Sequence, residues 1–174
     1  MWEEQIPLSK EPIDSRAFRD ALGGFPTGVC LITMRRPDGK CEGLTVSSFN
    51  SVSLAPPLVL WSLTRDSPSA DAFLNSKFFA INLLAADQQE VSNHFARRAV
   101  DKFAAFQGAF DAGLGGAPVL RDAVAVFECR NAFQTYGGDH IVFLAAVERF
   151  KANLARAPLV FARGRYAGVS NLHT

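Results

Sequence analysis

The chain has 174 residues, 48% of them hydrophobic and 20% charged, with a net charge of +1. That length lets a single domain bury about 70% of its unfolded surface, while the near-neutral charge argues against broad electrostatic binding to nucleic acid or an anionic membrane. No apolar run approaches the roughly 18 residues of a membrane-spanning helix, and Cys30, Cys41 and Cys129 stand far apart without a CxxC pair, as expected of reduced thiols filling a core.

In chain order, Met1-Trp2-Glu3-Glu4-Gln5 is acidic and lacks the pattern of a secretory signal, so the expected compartment is the cytoplasm. Asp14 or Ser15 can cap a short helix through Phe18 and Leu22 that ends at Gly23-Gly24. Residues 28–34 read as a largely buried strand, Pro37-Asp38-Gly39 as a turn, and residues 40–46 as the returning strand. Residues 57–63 form the next strand. Ser67 suits an N-cap and Pro68 a first helical position, for a helix over 69–75.

Residues 78–84 are a further buried strand, and Asp87 to Glu90 has capping-box spacing for a helix carrying Val91, Phe95 and Ala99 inward. Residues 100–116 are poorly periodic and read as a loop with a helical turn. Two long strands, 124–133 and 140–150, flank a turn at Tyr136-Gly137-Gly138-Asp139, and two short segments at 158–161 and 164–166 close the chain. Six or seven strands with short links and three or four short helices predict a mainly β fold, an antiparallel barrel with peripheral helices. Small barrels fill their interiors with side chains, so a large cofactor would lie outside or between subunits. Fifteen Phe beside two Trp and two Tyr suit a Phe-rich core, with rings left for an interface or a flat ligand.

The stretch from Gly43 to Leu60, GLTVSSFNSVSLAPPLVL, begins as a strand, passes through small hydroxyl residues and resumes as an apolar strand after two prolines. Short side chains leave backbone N–H groups accessible, so this segment can lie against a planar ligand and bond its polar rim. The turn from Ser62 to Ser69 combines hydroxyls, Arg65 and a helix start, a recipe for an anion site; the alternative is a capped turn with a solvated arginine, and Asp66 opposes an anion. His94, His140 and His173 have no second ligand at metal spacing, and no metal is expected. No GxSxG elbow or phosphate-cradling glycine loop is present. Without an acid–base constellation, a cofactor carrying the chemistry and a plain binding module both remain open.

Several segments together resemble one family. Phe18 to Val29, the Gly43–Leu60 stretch, Lys77 to Leu84, Asp101-Lys102-Phe103, Gly138-Asp139-His140, and Pro158 to Phe161 with Gly164-Arg165-Tyr166 are similar, in order, to the short-chain flavin reductases of the FMN-binding split-barrel superfamily. The likeness covers about residues 14–168, within one expected flavin reductase-like domain of residues 1–174. It implies an antiparallel, Greek-key-like split β-barrel and a homodimer with one flavin, FMN or FAD, near the subunit interface. The implied activity is hydride transfer from NADH or NADPH to flavin, supplying a separate monooxygenase component or another acceptor such as iron or corrin cobalt. A non-enzymatic flavin- or haem-binding barrel, or an oxidase of a phosphate-bearing vitamin, is the alternative. By position, Thr27, Thr45, Val46, Ser47 and Ser48 would line the isoalloxazine and Ser51, Val52 and Ser53 continue that contact. Ser62, Arg65 and Ser67 would handle the ribityl phosphate, with Arg97, Arg98 and Lys102 a second cationic group. His140 would lie beside the nicotinamide, against the alternative of a turn histidine bonding local backbone.

Overall fold

The computed structural model describes residues 12–98 and 101–170. Asp14 Oδ1 accepts the N–H groups of Arg16 and Ala17 at 2.8 and 3.2 Å, starting α1 (Ser15–Leu22). No residue of α1 is buried. The strand expected over 28–34 is two: β1 (Thr27–Gly28) and β2 (Cys30–Arg35) belong to different sheets. β3 (Cys41–Val46) returns along β2. Part of the hydroxyl-rich segment is itself a strand, β4 (Asn50–Leu54), which pairs with β5 (Pro57–Thr64).

α2 (Ala70–Leu74) follows β5, and its N-cap is Ser69 rather than Ser67. The Ser69 hydroxyl bonds Glu42 of β3 at 3.0 Å instead of capping the helix. β6 (Phe78–Leu83) leads to a 3-10 turn at Ala86–Gln88 and then α3 (Gln89–Ala96). Gln88, not the Asp87–Glu90 pair, secures this entry, its side-chain oxygen accepting the Ala85 N–H at 2.9 Å. Ala99 and Val100 lie outside the described residues. The expected loop beyond them holds a hairpin of β7 (Phe110–Ala112) and β8 (Pro118–Leu120). β9 (Ala125–Gly137) and β10 (His140–Ala152) form a hairpin longer than its apolar stretches predict, and β11 (Val160–Ala162) and β12 (Arg165–Ala167) complete the described chain.

The main sheet is antiparallel throughout, in the order β3-β2-β6-β9-β10-β5-β4; β1, β11 and β12 make a second sheet. The seven strands curl round a core of Ile32, Met34, Trp61, Phe73, Phe79 and Phe143, in which the Trp61 and Phe143 rings stack at 4.4 Å. A second core, including Leu31, Ala80, Phe95, Val119 and Leu159, packs against the other face of β2 and β6. β2 is therefore buried on both faces, which is why its sequence is one apolar run rather than an alternation. The two edge strands, β3 and β4, are consecutive in the chain. They meet at residues 47–49, where Phe49 stacks on Phe127 of the central strand β9 at 5.6 Å.

Candidate functional site

At this meeting point one side chain continues the β4–β5 pairing beyond its last paired residues. Ser48 Oγ donates to the Ser62 carbonyl at 3.0 Å and accepts the Ser62 N–H at 2.9 Å, replacing ladder bonds that the bend interrupts. The hydroxyl is thus committed, and so is that of Thr45, which donates to Ser92 O of α3 at 2.8 Å. Among the described residues, the backbone N–H groups of Ser47, Ser48 and Phe49 have no partner. What the bend offers a ligand is a run of backbone donors held in place by hydroxyls, with the exposed Ser47 side chain beside them.

α3 is tied in turn to the smaller sheet. The Ser92 and Tyr166 hydroxyls lie 2.8 Å apart, and Tyr166 donates to Asn93 Oδ1 at 3.0 Å. Tyr166 pairs with Phe161, and Phe161 with Thr27, so the bend and the second sheet are joined through α3. α3 approaches β3 this closely because Gly43 has no side chain: a Cβ there would lie 2.8 Å from the Phe95 ring.

Between these walls is a cavity of about 630 Å³, within the roughly 300–1,000 Å³ of small-molecule sites. Ser47 and Thr27 line it, with Phe161 to Gly164 of the β11–β12 hairpin on one side and Arg19, Asp20, Leu22, Gly23 and Phe25 of the α1 end on another. Thr27 Oγ1 is buried without a hydrogen-bond partner, a cost that a ligand acceptor or donor would remove. The unsatisfied hydroxyl of Thr27, the free N–H of Ser47 and the cavity size fit the polar rim of a flavin. Val46 is half-buried against the barrel core.

Ser62 and His140 lie on one face of the main sheet, since Val142 pairs with Ser62 and His140 with Thr64. His140 is therefore two residues along β5 from the Ser48–Ser62 contact, about 7 Å at strand spacing. Its Nδ1 lies 2.7 Å from Asp139 Oδ1. That hydrogen bond holds the Asp139 carboxyl below its ordinary range and occupies Nδ1, so Nε2 is the ring nitrogen left for a ligand. Arg65 meets the same turn: its N–H donates to Asp139 O at 2.9 Å and its guanidinium lies over the Tyr136 ring at 5.0 Å. Ser67 is half-buried and its hydroxyl accepts the Ser69 N–H at 3.3 Å. The fold thus unites Ser62, Arg65 and His140 at one end of β5.

Other expected residues are placed apart from this group. Lys102 Nζ donates to Gly43 O and Phe95 O at 3.0 and 2.9 Å, closing the α3 terminus onto β3. Burial pulls its pKa down. α3 runs antiparallel to β3, so Arg97 and Arg98, both exposed, lie towards the Cys41 end and away from the bend. Ser51 and Ser53 are on edge strand β4, with Val52 in its bulge. Among the described residues no cluster of three or more His, Cys, Asp or Glu side chains is arranged to hold a metal.

Sequence reasoning missed Arg19, Phe25 and Arg163, which only the contact between α1 and the β11–β12 hairpin brings to the cavity. One signal was readable: Arg163-Gly164 between two short apolar segments has the length of a two-residue hairpin turn.

A family model for flavin reductase like domains matches residues 22–170. The FMN reductase (NADH) SmoA of Agrobacterium fabrum is 42% identical over 159 residues, covering 90% of this chain and 87% of that protein. The reductase subunit HsaB of a Rhodococcus jostii flavin-dependent monooxygenase is 38% identical, covering 93% and 82%. A Rhizobium meliloti protein named "Probable flavin reductase" is 40% identical over 91% of this chain, but the chain spans only 50% of its length. The structure of the Streptomyces globisporus NADH:FAD oxidoreductase SgcE6 with NAD and FAD fragments superposes with a TM-score of 0.84, at 35% identity, covering 92% of this chain and 97% of that one.

Proposed function

Because the chain belongs to the flavin reductase-like domain family, we propose that it is an NAD(P)H:flavin oxidoreductase acting as one unit over about residues 14–168. The carrying observation is the cavity that joins Ser47, at the start of the bend, to Thr27, whose hydroxyl is buried without a partner. When bound, a flavin supplies the two-electron chemistry, accepting hydride from the nicotinamide. The chain's residues bind and orient. N–H donors of the bend and Thr27 Oγ1 would hold the polar rim, where fixed donors would favour a negatively charged ring system. His140, its Nδ1 fixed by Asp139, presents Nε2 to the nicotinamide. No side chain has to gain or lose a proton in hydride transfer, which agrees with a site built of hydroxyls and amides.

The same reading extends to assembly. Leu60 pairs with Leu144 and Leu144 with Phe133, so these side chains share the sheet face opposite Trp61 and Phe143. Leu58 and Val142 flank them, and Phe133 is 59% exposed. This apolar stripe beside Ser62 and His140 suits a homodimer whose interface borders the flavin site. Reduced flavin would then pass to a separate monooxygenase component, as the names of relatives such as HsaB suggest, with the cytoplasm as the proposed compartment.

The test is an absorbance spectrum of protein mixed with FMN or FAD, recorded before and after anaerobic NADH. Bound flavin bleached by NADH is expected. Flavin bound but unbleached would favour a carrier, and protein that neither binds flavin nor oxidises NAD(P)H would overturn the reading.

A further inference from the structure

The cavity carries two cations that hydride transfer does not use. Arg19 of α1 and Arg163 of the β11–β12 hairpin both line it, and among the described residues neither guanidinium has a hydrogen-bond or ion-pair partner. Among the described residues the acid in the lining is Asp20, so the two arginines leave those residues one positive charge in excess.

Arg163 also occupies a backbone position that disfavours it. Ala162 pairs with Arg165, so Arg163 and Gly164 are the whole turn, with φ of 49° and 73°. A two-residue turn with both φ positive takes Asn, Asp or Gly at its first position; a long side chain there is strained. The turn is held against the end of α1 by the Arg163 N–H, which donates to Gly23 O at 2.8 Å. The backbone that fixes this strained arginine is therefore the backbone that brings it beside Arg19 at the cavity wall.

We propose that Arg19 and Arg163 form an anion subsite for the phosphate or pyrophosphate of a nucleotide cofactor, an assignment that rests on the reductase reading. Guanidinium groups bond phosphate oxygens in pairs, and two of them, one from α1 and one from the hairpin, would grip the group together. The Ser62–Arg65–Ser67 turn is absent from the cavity lining, which leaves these arginines as its cations among the described residues.

The test compares the wild type with Arg163→Asn and Arg19→Gln. Asn suits the turn, so Arg163→Asn keeps the fold; Arg19→Gln is a second variant, on a helix with no buried residue. Riboflavin, FMN and FAD are titrated by flavin fluorescence, and the KM for NADH is measured with riboflavin as acceptor. A rise of about tenfold or more in the FMN and FAD Kd, with riboflavin changed less than about twofold, assigns the flavin phosphate to the subsite. A comparable rise in the KM for NADH with flavin affinities unchanged assigns the dinucleotide pyrophosphate instead. Either result upholds the subsite. Riboflavin weakened as much as FMN, or no change in any of these quantities in both variants, overturns it. Failure of the wild type to oxidise NADH with riboflavin would fault the reductase reading itself and is scored separately.

Discussion

Ser48 and Ser62 are joined twice by one hydroxyl, which donates to the carbonyl and accepts from the amide of the same residue where the β4–β5 backbone ladder ends. Ser47, one residue earlier, lines the cavity. Neighbours of the same type thus have different work. Ser48→Ala leaves both backbone groups of Ser62 without that partner and should destabilise the fold by about 2 kcal/mol. Ser47→Leu should leave stability within about 0.5 kcal/mol and weaken flavin binding through bulk in the cavity. Thermal unfolding and flavin titration of the two single variants separate these effects. Equal loss of stability in both would show that the bend has no free face.

The Ser92–Tyr166 contact links the two walls of the cavity through α3. Tyr166→Phe removes the hydroxyl while keeping the ring packed on Phe161 at 5.5 Å. It should cost about 1 kcal/mol in stability and raise the flavin Kd more than it lowers kcat, because it widens the site without touching the reacting groups. A fall in kcat at unchanged flavin affinity would contradict this.

His140→Ala should slow nicotinamide oxidation by about tenfold through lost positioning while leaving flavin affinity nearly intact. Asp139→Asn should give a smaller defect of the same kind, since the amide can still hold the ring but contributes no charge. The Asp139 carboxyl is held below its ordinary range by the hydrogen bond to His140. The pair's contribution is therefore present above about pH 4 and is lost as pH falls further. Steady-state KM and kcat for NADH, with flavin Kd measured in parallel, check the assignment. A loss of flavin affinity alone would move His140 to the flavin side.

The sequence made the barrel legible where burial is one-sided or complete: the run of β2 and the alternation of β10 both report their surroundings directly. It hid β4, whose polar residues at a sheet edge need no core-facing alternation, and the β7–β8 hairpin, whose three-residue strands carry too few positions to show a period. At the site, the bend was visible as a cluster of hydroxyls, but their direction was not. Thr45 and Ser48 bond protein rather than face the cavity, because contacts 47 and 14 residues distant decide where each oxygen turns. Lys102 was legible as a charge near the site, yet its reach to two carbonyls depends on the Gly43–Phe95 approach, which no local pattern reports.

The apolar stripe of Leu60, Leu144 and Phe133 gives a test of assembly. Leu144→Lys places an ammonium at its centre, on the face opposite the barrel core, so the protomer should still fold. Analytical ultracentrifugation should find the wild type dimeric and this variant monomeric, with weakened flavin binding if the interface borders the site. A monomeric wild type would remove the interface from the reading.

Alkaline pH tests the buried thiols. Burial pushes Cys30 and Cys129 up from 9.0 to about 12, so both remain neutral where an unfolded cysteine ionises. A group whose folded pKa is raised contributes its full stability below the unfolded value and loses it as pH rises through the interval. The unfolding temperature should therefore hold steady up to about pH 8.5 and then fall progressively towards pH 12 from this source. The double variant Cys30→Ala, Cys129→Ala would start less stable, because each alanine leaves a void in the barrel core, but its alkaline decline should be shallower. In the native protein at neutral pH, a thiol reagent should modify only the half-buried Cys41, and slowly, since burial raises its pKa as well. Modification of all three thiols at one rate, or a double variant declining as steeply as the wild type, would show that the barrel interior opens to solvent.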